Sequence, residues 1–190
     1  MNPAFSRLCH SPIARRAAGL LVALAWSGLA FCSEIHDAAK SGDSERIEAL
    51  LKDNPDLVFS KDSDGATPLH LAAANGHKDL AELLLNSKAE VNAEDKDGRT
   101  PLYYAAGNGR RDVAELLLTN KAKVNARAND GETPLHRAAM NGRKDVVELL
   151  LANKAKVNAK TNDGKTPLHY ATVWGYKDVV ELLRRHGGHK

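Results

Sequence analysis

The chain has 190 residues, with 27 lysines and arginines against 24 aspartates and glutamates, a formal net charge of +3. Arg7, Arg15 and Arg16 account for that excess, because residues 1–32 hold no acid, and the remainder is formally neutral with 24 residues of each sign. A neutral body excludes nucleic-acid binding founded on overall basic charge. The two cysteines, Cys9 and Cys32, leave nothing beyond residue 32 for disulfides or thiol catalysis.

The chain opens with a segment unlike the rest. An apolar run at 17–30 (AAGLLVALAWSGLA) follows the three arginines, and small residues at Ala30 and Cys32 fit the minus-three and minus-one positions of a cleavage site. This order predicts a secretory signal peptide over 1–32 and a mature start at Ser33. The run is short for a membrane span, so no membrane insertion is expected after cleavage. Two alternatives are an uncleaved anchor and a lipid on Cys32, although the bulky Phe31 stands where lipidation favours a small residue. The Arg15-Arg16 pair hints at twin-arginine export, but its flanking residues fit poorly. The expected location is secreted or periplasmic, or membrane-anchored under either alternative.

Residues 33–63 predict two short helices. One runs through Ile35 to Ser41 and stops at Gly42; the other spans 44–52, with Ile47, Leu50 and Leu51 at helical spacing. Its outward positions, Glu45, Arg46 and Glu48, are polar, as an end unit requires.

A tetrapeptide then recurs. Thr67-Pro68-Leu69-His70 returns as Thr133-Pro134-Leu135-His136 and Thr166-Pro167-Leu168-His169, with Thr100-Pro101-Leu102-Tyr103 between them, each start 33 residues from the next. A period of this length marks a stack of small units sharing one core. Each Thr is placed to cap a helix N-terminus and each Pro fits the first helical position. An alanine pair follows in Ala72-Ala73, Ala105-Ala106 and Ala138-Ala139, and a glycine ends the helix at Gly76, Gly109, Gly142 and Gly175. A second amphipathic helix leads through a Val-Asn-Ala triplet (Val91-Asn92-Ala93 and its copies) to an Asp-Gly turn. The boundaries fall at 33–63, 64–96, 97–129, 130–162 and 163–190. In the last unit Arg184 stands where the others have Leu85, Leu118 and Leu151, which suits an exposed end face; with polar units at both ends the stack is expected to fold alone.

These motifs in register resemble the ankyrin repeat, over roughly residues 34–190. The resemblance implies an all-α solenoid of helix-turn-helix units joined by β-hairpin-like loops. It also implies a non-catalytic, monomeric protein-binding module that engages a partner protein on the concave face formed by loop tips and first helices. The second helix of that family usually ends at glycine, yet here the position holds Lys88, Lys121 and Lys154, and Gly187 alone keeps the rule. A non-glycine residue in the left-handed backbone that position requires costs on the order of 1 kcal/mol. The lysines are either tolerated drift or a cationic row open to an acidic partner.

Metal chemistry is not expected. His70, His136 and His169 repeat in register, but equivalent atoms in adjacent helix pairs lie about 10 Å apart, whereas zinc–nitrogen bonds are about 2 Å. Each imidazole is expected to bond its own threonine and nearby backbone, with Tyr103 breaking the pattern. No cofactor and no catalytic constellation is indicated.

Columns that stay constant hold the fold, and columns that vary are free to read a partner. The variable columns nominate Arg99, Arg127 and Lys165 at the tips, Tyr104 and Arg137 on the first helices, and Met140, Asn141 and Trp174 at the helix ends. Trp174 stands where its siblings have asparagine, and Trp and Arg are enriched among interface hot spots; the other reading is a cover over core left open by the last unit. A structural spacer, or a protective accessory of an exported enzyme, is the alternative function; an enzyme or small-molecule receptor would need a closed pocket.

Overall fold

The computed structural model describes residues 33–189. The expected leader, with Cys9, Cys32 and the arginine pair, lies outside the described residues. Helical residues 33–41 (α1) pair with α2 (Ser44–Asp53), followed by a 3-10 turn at Pro55–Phe59. Four more pairs follow: α3 (Pro68–Asn75) with α4 (Lys78–Asn86), α5 (Pro101–Gly107) with α6 (Arg111–Thr119), α7 (Pro134–Met140) with α8 (Lys144–Ala152), and α9 (Pro167–Val173) with α10 (Lys177–Arg185). The described residues are all-helical, with no β-strand among them.

Each first helix starts as its tetrapeptide dictates. Thr67, Thr100, Thr133 and Thr166 are extended N-caps with proline at the first helical position. The hydroxyls of Thr100, Thr133 and Thr166 accept from the backbone N–H three residues on. Leu69, Leu102, Leu135 and Leu168 are buried, and the alanine pairs are fully enclosed, so successive first helices pack closely. The second helices add Leu80 and Leu84, Val113 and Leu117, Val146 and Leu150, and Val179 and Leu183 to one continuous core. No single helix pair has enough apolar surface to close a core by itself; each relies on its neighbours.

The loops are hairpin-like in their closure. Asp95 N–H donates to the Arg99 carbonyl at 3.0 Å and Gly98 N–H to the Asp95 carbonyl at 3.1 Å, and the other units repeat the pattern. Neighbouring loops are tied by one backbone bond each: Lys96 N–H to Asp64 O (3.0 Å), Asn129 N–H to Asp97 O (2.8 Å) and Asn162 N–H to Asp130 O (2.9 Å).

On the opposite edge the asparagine of the Val-Asn-Ala triplet clasps the next unit. The Asn92 amide oxygen accepts from Lys123 N–H (2.8 Å) while its nitrogen donates to the Lys121 carbonyl (3.4 Å). Asn125 does the same with Lys156 N–H and the Lys154 carbonyl, and Asn158 with His189 N–H and the Gly187 carbonyl. Lys88, Lys121 and Lys154 are in the left-handed region, at φ of 70°, 68° and 66°, beside Gly187 at 83°. The turn is kept at this column whether or not glycine supplies it.

Between units, a glycine leaves a seat for a side chain of the following unit. A Cβ added to Gly142 would lie 2.5 Å from Cδ1 of Tyr176, besides requiring a φ of +65°.

The third clasp uses histidine. Thr67 N–H donates to His70 Nδ1 at 3.0 Å, which leaves the proton on Nε2 to donate to the Arg99 carbonyl of the next unit at 3.0 Å. His136 repeats this with Thr133 N–H (3.1 Å) and the Lys165 carbonyl (3.1 Å). The same expectation fails at His169. Thr166 turns its hydroxyl to the His189 carbonyl (3.0 Å), and no later loop among the described residues offers the ring a carbonyl.

Burial lowers the pKa of both His70 and His136 from the ordinary 6.5. Protonation would also turn Nδ1 into a donor facing the threonine N–H. The unfolded chain thus takes up protons that the folded one refuses, so the stability these residues contribute is complete above pH 6.5 and declines as pH falls below it. Urea midpoints measured at about pH 8 and about pH 5.5 should show that decline. A His70→Gln, His136→Gln chain should show a shallower one. Equal slopes for the two proteins would refute the histidine origin.

Candidate functional site

The third unit departs from the others, and the departure shapes one face. Tyr103 occupies the histidine column, and its ring replaces the imidazole in the core at 4% exposure. It is too long to return to its own threonine, so its hydroxyl crosses to the fourth unit and donates to Glu132 Oε2 at 2.7 Å. Glu132 is itself buried, at 6% exposure. Burial first, and the adjoining Glu132 carboxylate second, push the Tyr103 hydroxyl far above the ordinary tyrosine range. It is therefore a fixed proton donor at any physiological pH.

Two arginines bracket this pair. The guanidinium carbon of Arg99 lies 5.6 Å from the Tyr103 ring centroid, and that of Arg137 lies 5.7 Å away. Arg99 pairs with Asp97 at 2.9 Å, and its Nε is enclosed without a hydrogen-bond partner. Arg137 rests on Gly107, where a Cβ would come within 2.7 Å of its Cγ. Gly107 has no positive φ, so the missing side chain serves space rather than backbone conformation. Arg137 then reaches the Met140 sulfur at 3.4 Å.

Aromatic rings continue the surface. Tyr104 meets His70 edge-on at 5.8 Å and Tyr103 at 5.9 Å. Its hydroxyl donates to Asp95 Oδ2 at 2.6 Å, and burial followed by that bond raises it to about 12. Tyr170 meets His136 at 6.0 Å and His169 at 5.9 Å, with the Lys165 ammonium 6.0 Å from its ring.

Arg99, Tyr104, Arg137, Met140 and Lys165, all nominated from the sequence, thus surround the Tyr103–Glu132 pair and Tyr170. Three other nominees stand apart. Arg127 donates to the Lys160 carbonyl at 2.8 Å and so joins two loops. Asn141 donates to the Gly107 carbonyl at 2.8 Å, as Asn108 does to the Ala74 carbonyl at 3.0 Å. Trp174, in that same column, cannot continue the series. It caps α9 at 61% exposure beside Val173 at 65%, which is incompatible with a cover over the core.

Tyr103 lies outside the varying columns, and Glu132 and Tyr170 share the varying columns of Arg99 and Tyr104 without being singled out, yet the three organise the cluster. Their signal lay in the spacing. His70 reaches Arg99 and His136 reaches Lys165, each 29 residues on; 29 residues beyond Tyr103 is Glu132.

Comparison with known proteins agrees with this architecture. The ankyrin-repeat family description, built of three copies, matches residues 35–128 and 120–190. Inversin of Gallus gallus is 37% identical over 67 residues, 35% of this chain and 6% of the relative. Ankyrin repeat domain-containing protein 13C-A of Xenopus laevis is 40% identical over 57 residues, covering 30% and 11%. Protein phosphatase 1 regulatory subunit 27 of Mus musculus is 38% identical over 64 residues, covering 34% and 39%. The chain spans well under half the length of these relatives.

Removing one member of the buried pair should cost more than removing both. Tyr103→Phe leaves the Glu132 carboxylate enclosed without its donor and should lower unfolding free energy by about 1–3 kcal/mol. Adding Glu132→Met should recover most of that loss in urea denaturation. A Tyr103→Phe chain as stable as the parent would show that the pair contributes nothing.

Proposed function

Since the chain belongs to the ankyrin repeat family, we propose that it is an exported, non-catalytic module that docks a partner protein on the concave face of its stack. Ankyrin repeats generally mediate protein–protein interaction. One observation supports the use of this face. The constant columns are buried or clasp the next unit, whereas the variable columns Arg99, Tyr104, Arg137, Met140 and Lys165 gather on one continuous surface. Apart from it, at the end of α9, Trp174 and Val173 offer exposed apolar area that the fold does not use. The clasps hold these side chains in place before the partner arrives, so docking proceeds with little rearrangement.

Cross-linking capture from envelope and secreted fractions should recover a partner with the parent chain and lose it with Trp174→Ala, Val173→Ser. Both residues are exposed, so the variant should keep its stability within about 0.5 kcal/mol. Equal capture by both baits would move the contact away from the end of α9. Export has its own test: protein recovered from outside the cytoplasm should begin at Ser33 by N-terminal mass spectrometry. Recovery confined to the cytoplasm with Met1 in place would refute it.

A further inference from the structure

The acids and bases of this face are unequally engaged. Asp95 accepts from the Tyr104 hydroxyl and from the backbone N–H groups of Asp97 and Arg99. Asp97 pairs with Arg99, Asp130 accepts from Glu132 N–H, and Glu132 accepts from Tyr103. Among the described residues the ion pairs are Lys40–Asp37, Arg46–Glu34, Arg99–Asp97, Arg111–Glu115 and Arg185–Glu181. Arg137 and Lys165 appear in none of them. The polar contact of the Arg137 guanidinium is the Met140 thioether, and Lys165 stands over the Tyr170 ring.

Arg137 is also already ordered. Gly107 seats its stem, and the Tyr103 ring lies beneath its guanidinium. An arginine held this way gives up little side-chain freedom when it meets a carboxylate, and its planar fork matches one with two parallel bonds. An arginine in no ion pair among the described residues, seated on an aromatic, with a second such cation on the same face, suits a negatively charged partner group.

We propose that the partner presents an acidic segment, with one aspartate or glutamate paired to Arg137, a second acid near Lys165, and apolar residues alongside on Tyr104 and Met140. This assignment rests on the protein-binding reading of the same face and adds the chemistry that would be recognised there.

The test is selection from a random peptide phage library on the full chain as purified. The parent should enrich peptides with Asp or Glu at one register beside an apolar residue. Replacing that acid by its amide in a fluorescent copy of the selected peptide should weaken binding roughly tenfold, an effect expected for a central arginine contact. Arg137→Met should weaken the acidic peptide by a similar factor and make it indifferent to the amide change, the non-additivity that marks a direct pair. Arg137→Glu should instead enrich Lys or Arg at that register, a gain that a misfolded protein cannot produce. Binders without acidic preference, still lost in Trp174→Ala, Val173→Ser, would overturn the acidic assignment and leave the protein-binding role intact. An unchanged preference in Arg137→Glu would overturn it too. Failure to recover any binder that depends on this face would overturn both.

Discussion

Everything in this stack depends on a polar group of one unit being satisfied by the next. A helix pair of this size leaves apolar surface and backbone carbonyls open on both sides, and water cannot reach them once a neighbour packs. The chain answers with three clasps. The loops share a backbone bond, the triplet asparagine grips the following turn, and the histidine bridges its own cap and the next loop. The donors run in opposite senses along the stack. Loop bonds give from the later loop to the earlier, while histidine and asparagine side chains give from the earlier unit to the later. Each junction is therefore held from both partners.

One substitution in this scheme generates the face that looks least like scaffold. Tyrosine in place of histidine cannot make the short bond to threonine, so it demands an acid across the junction. The ring whose hydroxyl reaches that acid carries two arginines over it. A change that began as a packing problem ends as an ordered set of charges. The two roles share atoms: the ring that fills the core at Tyr103 is also the platform under Arg137.

The fold was legible because its determinants are local and repeated. Threonine, proline and glycine act within one turn of helix, and four copies in register make chance an untenable explanation. Even the lysines in left-handed turns could be inferred, since position in the repeat outranked intrinsic preference. The face was legible in part. Asn141 and Arg127 were nominated because their columns vary, yet a varying column can still be bonded to the fold, and both bind backbone. Tyr103 was passed over because its column has an assigned structural duty, and Glu132, in the varying column of Arg99 and Lys165, because nothing in that column alone marks it as buried. Their meaning is a property of two columns separated by one junction, and only the distance across it shows that they meet.

The Tyr103–Glu132 contact also bears on how the stack can change length. Clasps at fixed offsets make most junctions interchangeable, so a whole unit could be spliced out and the ends would find equivalent partners. Excising residues 130–162 would bring Lys165 to the place of Glu132 and Tyr170 to that of Arg137. The Tyr103 hydroxyl would then face a cation in place of its acceptor. The third and fourth units are keyed to each other, and that joint fixes their order in an otherwise modular array.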